Sequence, residues 1–118
     1  HALIALHHHP VPSGSAWMDT MVLANADELL DLLAGFPQVR LVLSGHVHQA
    51  LDKQRGTIRL LATPSTCFQF KPYSAQFALD DTAPGYRWLE LFEDGTVATA
   101  IRRVPTMPQG LDVHSAGY

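Results

Sequence analysis

Only one cysteine, Cys67, occurs among the 118 residues. No intrachain disulfide can form, and the chain does not read as a disulfide-stapled secreted scaffold. Long apolar runs are missing too: none approaches the ~20 residues of a membrane span, and the first residues have no charged lead ahead of an apolar stretch. A reducing, cytoplasmic setting without a membrane partner is therefore the expectation. There is no block of lysine or arginine, and the formal net charge is −3. That balance excludes the electrostatic footprint of a DNA, RNA or anionic-lipid binder. A starting methionine is also absent. His1 to Leu6 runs straight into an apolar segment with no polar lead-in, so residue 1 is expected to be an internal point of a longer protein.

What is present reads as a globular chain. It is 47% hydrophobic and 16% charged, against a usual charged fraction of about 25%, which speaks against disorder. The length suits one domain. A chain of this size removes about two thirds of its unfolded surface from water on folding, enough to bury a core.

Residues 2–6 form a short continuous apolar run, the pattern of a strand covered on both faces. The run stops at His7-His8-His9-Pro10-Val11-Pro12-Ser13-Gly14-Ser15, where two prolines and a glycine forbid regular structure. A helix is expected from about Asp19, its N-cap, to Ala34, with Val22, Leu23, Ala26, Leu29, Leu30 and Leu33 forming one apolar stripe. Gly35 is expected at the left-handed position that closes the helix, and Pro37 blocks continuation. Val39 to Leu43 is a second buried strand, ending in Ser44-Gly45-His46-Val47-His48. Strand, loop, helix and strand make a βαβ unit, so both histidine clusters are expected at the carboxyl ends of neighbouring parallel strands, the edge where open α/β sheets bind ligands.

Beyond residue 48 the pattern changes. A β-hairpin is expected from Gln49–Asp52 and Thr57–Ala62, turning at Lys53-Gln54-Arg55-Gly56. A polar, proline-containing stretch follows from Thr63 to Ser74. Arg87–Phe92 and Val97–Arg103 form a second hairpin around Glu93-Asp94-Gly95-Thr96, an Asp-Gly turn between alternating segments. The fold class expected is α/β, one βαβ unit followed by β-hairpins. Residues 1–104 form the domain part and 105–118 a loosely ordered tail.

Five of the seven histidines fall in two clusters 39 residues apart, His7 to His46. Neutral imidazole is the commonest protein ligand for transition metals. His46 and His48 are one residue apart, so in an extended segment both rings lie on one side, and a loop can aim them at two neighbouring ions. Gly45 lets the backbone approach a ligand closely. His1 and His114 stand alone and read as ordinary surface histidines. A tag remnant does not explain the triple histidine, which sits between an apolar strand and Pro-Val-Pro.

The run His7–Pro12, the helix, and Ser44-Gly45-His46-Val47-His48 together resemble the last two motifs of the calcineurin-like metallophosphoesterases. The stretch Leu61–Pro72, with Thr63-Pro64-Ser65-Thr66-Cys67, and the later Ala83-Pro84-Gly85-Tyr86-Arg87 resemble a narrower branch, the bacterial class III 3′,5′-cyclic-nucleotide phosphodiesterases. The resemblance runs from residue 1 to about 104. It implies the C-terminal half of an α/β/β/α sandwich. It also implies a binuclear metal site in which His7 and His46 bind one ion and His48 the other, with Mn, Fe or Zn as the candidates. By the same resemblance, His8 is the catalytic candidate that protonates the leaving oxygen, and His8 and His9 otherwise lie behind the ligands or face the phosphate. Thr66 and Cys67 are the substrate-binding candidates. Cys67 is not expected to be a nucleophile and reads more simply as a buried small residue.

The family also needs an Asp-x-His, a bridging aspartate and a Gly-Asn-His segment upstream, and nothing in residues 1–118 matches them. The 118 residues alone are expected to be inactive. The activity implied for a longer parent is hydrolysis of 3′,5′-cyclic AMP to 5′-AMP by a metal-activated water. A phosphodiesterase acting on glycerophosphodiesters, and a non-catalytic fragment that retains the histidines, stay open. An exposed strand edge would favour a homo-oligomer or domain exchange.

Overall fold

The computed structural model describes residues 1–112 and 114–115. β1 (Ala2–Leu6) and β2 (Val39–Ser44) are parallel neighbours in the register Leu3 to Leu41 through Leu6 to Ser44. Between them lie two helices, α1 (Ala16–Asp19) and α2 (Ala26–Ala34). Leu30 and Leu33 of α2 pack with Val39, Val42, Ile58 and Leu60 of the sheet to form the main core. Leu30 is 1% exposed, and burying a leucine fully contributes roughly 1.5–3 kcal/mol.

The single helix expected from Asp19 is instead split. Residues 20–25 form turns, and two of their backbone groups bond the histidine block: the Leu23 N–H donates to the His9 carbonyl at 3.1 Å, and the His8 ring bonds the Met21 carbonyl at 3.0 Å. Asp19 does not cap a helix start. It closes α1, and its carboxylate takes donors from Ser13 and Gly14 behind it. Gly35 differs as well. It caps α2 in the right-handed region (φ −71°, ψ −8°), its N–H shared between the Leu32 and Leu33 carbonyls.

β3 (Asp52–Arg55) and β4 (Ile58–Ala62) make the expected hairpin, but its turn falls at Gly56-Thr57 and its first strand starts later than the sequence pattern suggests. β4 also lies parallel to β2, giving one mixed sheet in the order β1-β2-β4-β3. β1 is consequently an edge strand. Within these residues Ala5 is exposed and the other four of β1 are half-buried, whereas β2 is covered on both faces.

Two short strands interrupt the proline-containing stretch and its continuation: β5 (Gln69–Phe70) pairs antiparallel with β6 (Leu79–Asp80). β7 (Gly85–Leu91) and β8 (Val97–Arg103) form the Asp-Gly hairpin as a separate two-stranded ribbon. Arg87 ties it to the main sheet by donating to the Ala62 and Leu51 carbonyls at 2.9–3.0 Å. Positions 113 and 116–118 of the tail expected to be loose lie outside the described residues. Among the described residues no helix is long and apolar enough to cross a membrane.

Candidate functional site

β1, β2 and β4 end at the same edge of the sheet. His7 follows β1 directly, Gly45 follows β2, and Thr63 follows β4. Backbone bonds continue past the strands: Gly45 N–H donates to the His7 carbonyl at 3.2 Å, and Thr63 N–H to the Ser44 carbonyl at 3.0 Å. These bonds bring the two histidine clusters and the Thr63–Phe68 loop together at the carboxyl edge.

Three rings meet there. The His7 and His46 ring centroids are 5.2 Å apart and edge-on, His7 and His8 are 5.5 Å apart and edge-on, and His8 stacks on His46 at 4.2 Å. His7 and His8 are exposed and His46 is half-buried. His9, the last of the triplet, is fully buried and lies parallel to His46 at 5.9 Å.

His46 and His48 are not in an extended segment as the one-residue spacing suggests. Both have left-handed backbone, φ 63° and 49°, on either side of Val47, which is 0% exposed and packs with Met18 and Ala62. A non-glycine residue with positive φ is uncommon, and two in three residues mark a turn that the surrounding packing enforces. The turn sends the two rings to different neighbours. His48 stacks on Phe70 at 4.4 Å with an 11° interplanar angle and lies beside Phe68 at 5.2 Å. Trp17 and Phe77 meet Phe70 edge-on, completing an aromatic wall.

The electrostatics favour neutral rings. Burial, reinforced by the neighbouring histidines, pushes the His46 pKa down to about 4. Burial also lowers His48 and His9, the latter against the pull of Asp19. A neutral imidazole keeps a lone pair, the form in which histidine ligates a metal. His8 is held by its Nδ1, which must be the donor because the Met21 carbonyl can only accept, so its Nε2 carries the lone pair.

Nε2 of His46 and Nδ1 of His48 are buried without a hydrogen-bond partner. Buried polar atoms are normally paired, so an unpartnered ring nitrogen of this kind is available to ligate an ion. The donor chemistry fits a borderline metal such as Zn²⁺, Mn²⁺ or Fe. The set is partial: among the described residues no group of three or more His, Cys, Asp or Glu side chains is arranged to hold an ion.

Thr66 and Cys67 are exposed on the loop after β4. Cys67 is thus not the buried small residue that its size suggests. Its backbone N–H donates to the Ser65 hydroxyl at 3.0 Å, a tight local turn that leaves the thiol outward. The loop is braced by the buried Gln69 amide, which accepts from the Ser65 N–H at 3.0 Å and donates to the Ser65 carbonyl at 2.8 Å. His1 packs against Gly95, and His114 lies exposed in the tail, both apart from the cluster. Sequence reasoning missed Asp19 and Phe70 as neighbours of the histidines. A signal existed for the first, a Ser-Gly-Ser turn followed four residues later by an aspartate.

No family model matches the chain. Curated proteins do. The chain is 55% identical over 116 residues to the 3′,5′-cyclic adenosine monophosphate phosphodiesterase CpdA of Pseudomonas aeruginosa, covering 98% of the chain and 43% of that protein. It is 51% identical over 118 residues to the protein of the same name from Escherichia coli K12, covering 100% of the chain and 43% of the relative. A 3′,5′-cyclic-nucleotide phosphodiesterase of Nostoc sp. is 48% identical over 103 residues, 87% of the chain and 39% of that protein. The chain thus spans about two fifths of the length of these relatives.

Proposed function

We propose that this chain is the histidine-bearing part of a metal-dependent phosphodiesterase that hydrolyses 3′,5′-cyclic AMP to 5′-AMP. The observation that carries the reading is the 51–55% identity across 98–100% of the chain to proteins named for that reaction. The convergence of His7, His8 and His46 at the carboxyl edge of the sheet supports it. Residues 1–104 would belong to a calcineurin-like α/β/β/α sandwich, with 105–118 as its tail.

In this reading His7 and His46 would hold one ion and His48 the other, with carboxylate ligands supplied from outside these residues. Mn, Fe and Zn are the candidates, and such ions supply Lewis-acid stabilisation of phosphoryl charge and a water of lowered pKa. The chain's own work begins with orientation. The enforced turn at Gly45–His48 fixes two rings before any ligand arrives, and Phe70 fixes the plane of His48. His8 is the proton carrier. With Nδ1 committed to Met21, the proton it gives to the leaving ribose 3′-oxygen has to come from Nε2 of the doubly protonated ring. Water oxygen bonds to phosphorus and gives up a proton to solvent, the P–O3′ bond breaks, and the 3′-oxygen takes the proton from His8. Thr66 and Cys67, at the lip of the same edge, line the path of the nucleotide.

A second reading, a non-catalytic module that keeps its histidines, is favoured by the lack of a three-donor group among the described residues. One assay separates the two: Mn²⁺-dependent turnover of cyclic AMP by the 118-residue chain and by the chain extended to the length of its relatives, with a bis-aryl phosphodiester run alongside. The extended protein is expected to release 5′-AMP and to lose that activity in His46→Ala. An extended protein that binds Mn²⁺ and cleaves neither substrate would sink the phosphodiesterase reading. Cleavage of the aryl diester alone would move the substrate to another phosphodiester, such as a glycerophosphodiester.

A further inference from the structure

The histidine most deeply buried has so far been given no part in the chemistry. His9 is 0% exposed, and neither of its ring nitrogens has a hydrogen-bond partner. A leucine or phenylalanine would fill the same space without stranding two polar atoms, so the imidazole is retained against the preference of a buried site. Two neighbours stand out. On one side is Asp19, whose Oδ1 lies 3.6 Å from His9 Nε2, within reach of its charge though too long for a hydrogen bond. On the other is the His46 ring, parallel to His9 within 16° at 5.9 Å.

Asp19 is itself clamped. Its carboxylate accepts from the Ser13 N–H at 2.6 Å, the Ser13 hydroxyl at 2.8 Å and the Gly14 N–H at 3.0 Å. Three donors from two successive residues leave that carboxylate one orientation, and Ser13 is buried. The His9 backbone is fixed as well, its carbonyl accepting from Leu23 N–H. By contrast His8, the other ring stacked on His46, is exposed and held by one bond. Both rings parallel to His46 are backed, His8 by its Nδ1 bond to the Met21 carbonyl and the buried His9 by the clamped Asp19 carboxylate at 3.6 Å.

We propose that Asp19 and His9 are positioning residues for His46: the clamped carboxylate attracts the edge of the His9 ring across 3.6 Å, and the face of His9, opposite the stacked His8, helps fix the ring plane in which His46 presents its unpartnered Nε2. Outer groups of this kind orient ligands and tune the affinity of metal sites. What His46 presents Nε2 to rests on the metal-site reading above, but the bracing itself does not, and the test keeps the two apart.

The test is side-chain NMR of the 118-residue chain with labelled histidine. The order parameter of the His46 Cε1–H bond is expected in the rigid range, about 0.85, in the wild type, and below about 0.6 in Asp19→Asn and in His9→Leu. The backbone amide spectra of β2 and β4 serve as the check that each variant is folded. His9→Phe, which keeps a flat ring in the same place, is expected to restore the order. If His9→Leu does not fold, Asp19→Asn, which preserves volume, decides alone. Unchanged His46 order in the folded variants, or no restoration by phenylalanine, overturns the proposal. Zn²⁺ is then titrated into the wild type: movement of the His46 ring nitrogen shifts supports the ligand reading, and its absence counts against that reading while leaving the ring-order result standing.

Discussion

The main sheet with α2 and the β7–β8 ribbon are built from similar residues and stabilised by opposite means. In the sheet, β2 and β4 each bury four of their residues, and α2 closes one face with Leu30 and Leu33. In the ribbon only Gly85 is buried, Tyr86 and Trp88 are 55% and 46% exposed, and the ties to the rest of the molecule are a few hydrogen bonds, from Arg87 to Ala62 and Leu51, from Arg59 to Val97 and from Gly85 to Ser65. The histidines stand on the first region and none on the second. A site that has to hold rings in fixed planes sits where packing is dense, while the ribbon needs only to stay attached.

The comparison can be broken first at its apolar end. Leu30→Ala should cost about 3 kcal/mol in a urea titration, the range for a buried leucine whose surroundings relax only partly, whereas Trp88→Ala should stay within about 0.5 kcal/mol. Equal losses would mean that the ribbon shares the core. The next effect belongs to Arg87. Its nitrogens satisfy the Ala62 and Leu51 carbonyls and reach the Thr99 hydroxyl, so Arg87→Met should cost about 2 kcal/mol and raise amide exchange in β7 and β8 before it does so in β2. Uniform exchange would refute the division.

Mild acid should also weaken folding, through the histidine-bearing region. His46, His9 and His48 bind protons less readily folded than unfolded. As pH falls below the unfolded value of about 6.5 the unfolded chain therefore takes up more protons and folding weakens, the loss from His46 being complete near its folded value of about 4. Asp19 and Asp52 act in a lower window. Their carboxyls are held below the usual range, by hydrogen bonds from Ser13 and Gly14 and by Arg59 respectively, so their contribution is present above about pH 4 and is lost on further acidification. Unfolding curves at pH 7.5, 5.5 and 4.5 without divalent metal check both; a stability that rises towards pH 5.5 contradicts the neutral-ring assignment.

Local rules made part of this molecule legible. The apolar run 2–6, the stripe at Leu30 and Leu33, the run from Val39 and the Asp94-Gly95 turn each settle their own element, and a βαβ unit leaves few places for the histidines that follow its strands. The misses share a cause, which is that the deciding partner is distant in sequence. The helix is broken by bonds between His8 and His9 and residues 21–23, and β4 turns parallel to β2 through Leu41–Arg59 and its successors. Of the candidate site, the approach of His7 and His8 to His46 followed from topology. The departure of His48 towards Phe70 did not, because it depends on a backbone turn that alternation along a strand cannot express. Cys67 points outward for a similar reason, its loop being set by Ser65 and Gln69.

The left-handed backbone at His46 and His48 has a consequence for how this stretch can drift. Any residue arriving at either position is screened twice, once for its side chain and once for its tolerance of positive φ. Asparagine, aspartate and glycine pass the second screen easily, while valine, isoleucine and threonine fail it whatever their other merits. The buried Val47 between them closes the remaining escape, since the turn cannot flatten without lifting it out of the core. Substitutions accepted here should therefore be short polar ones, and a lineage that abandons the chemistry would be expected to keep the bend long after it has lost the imidazoles.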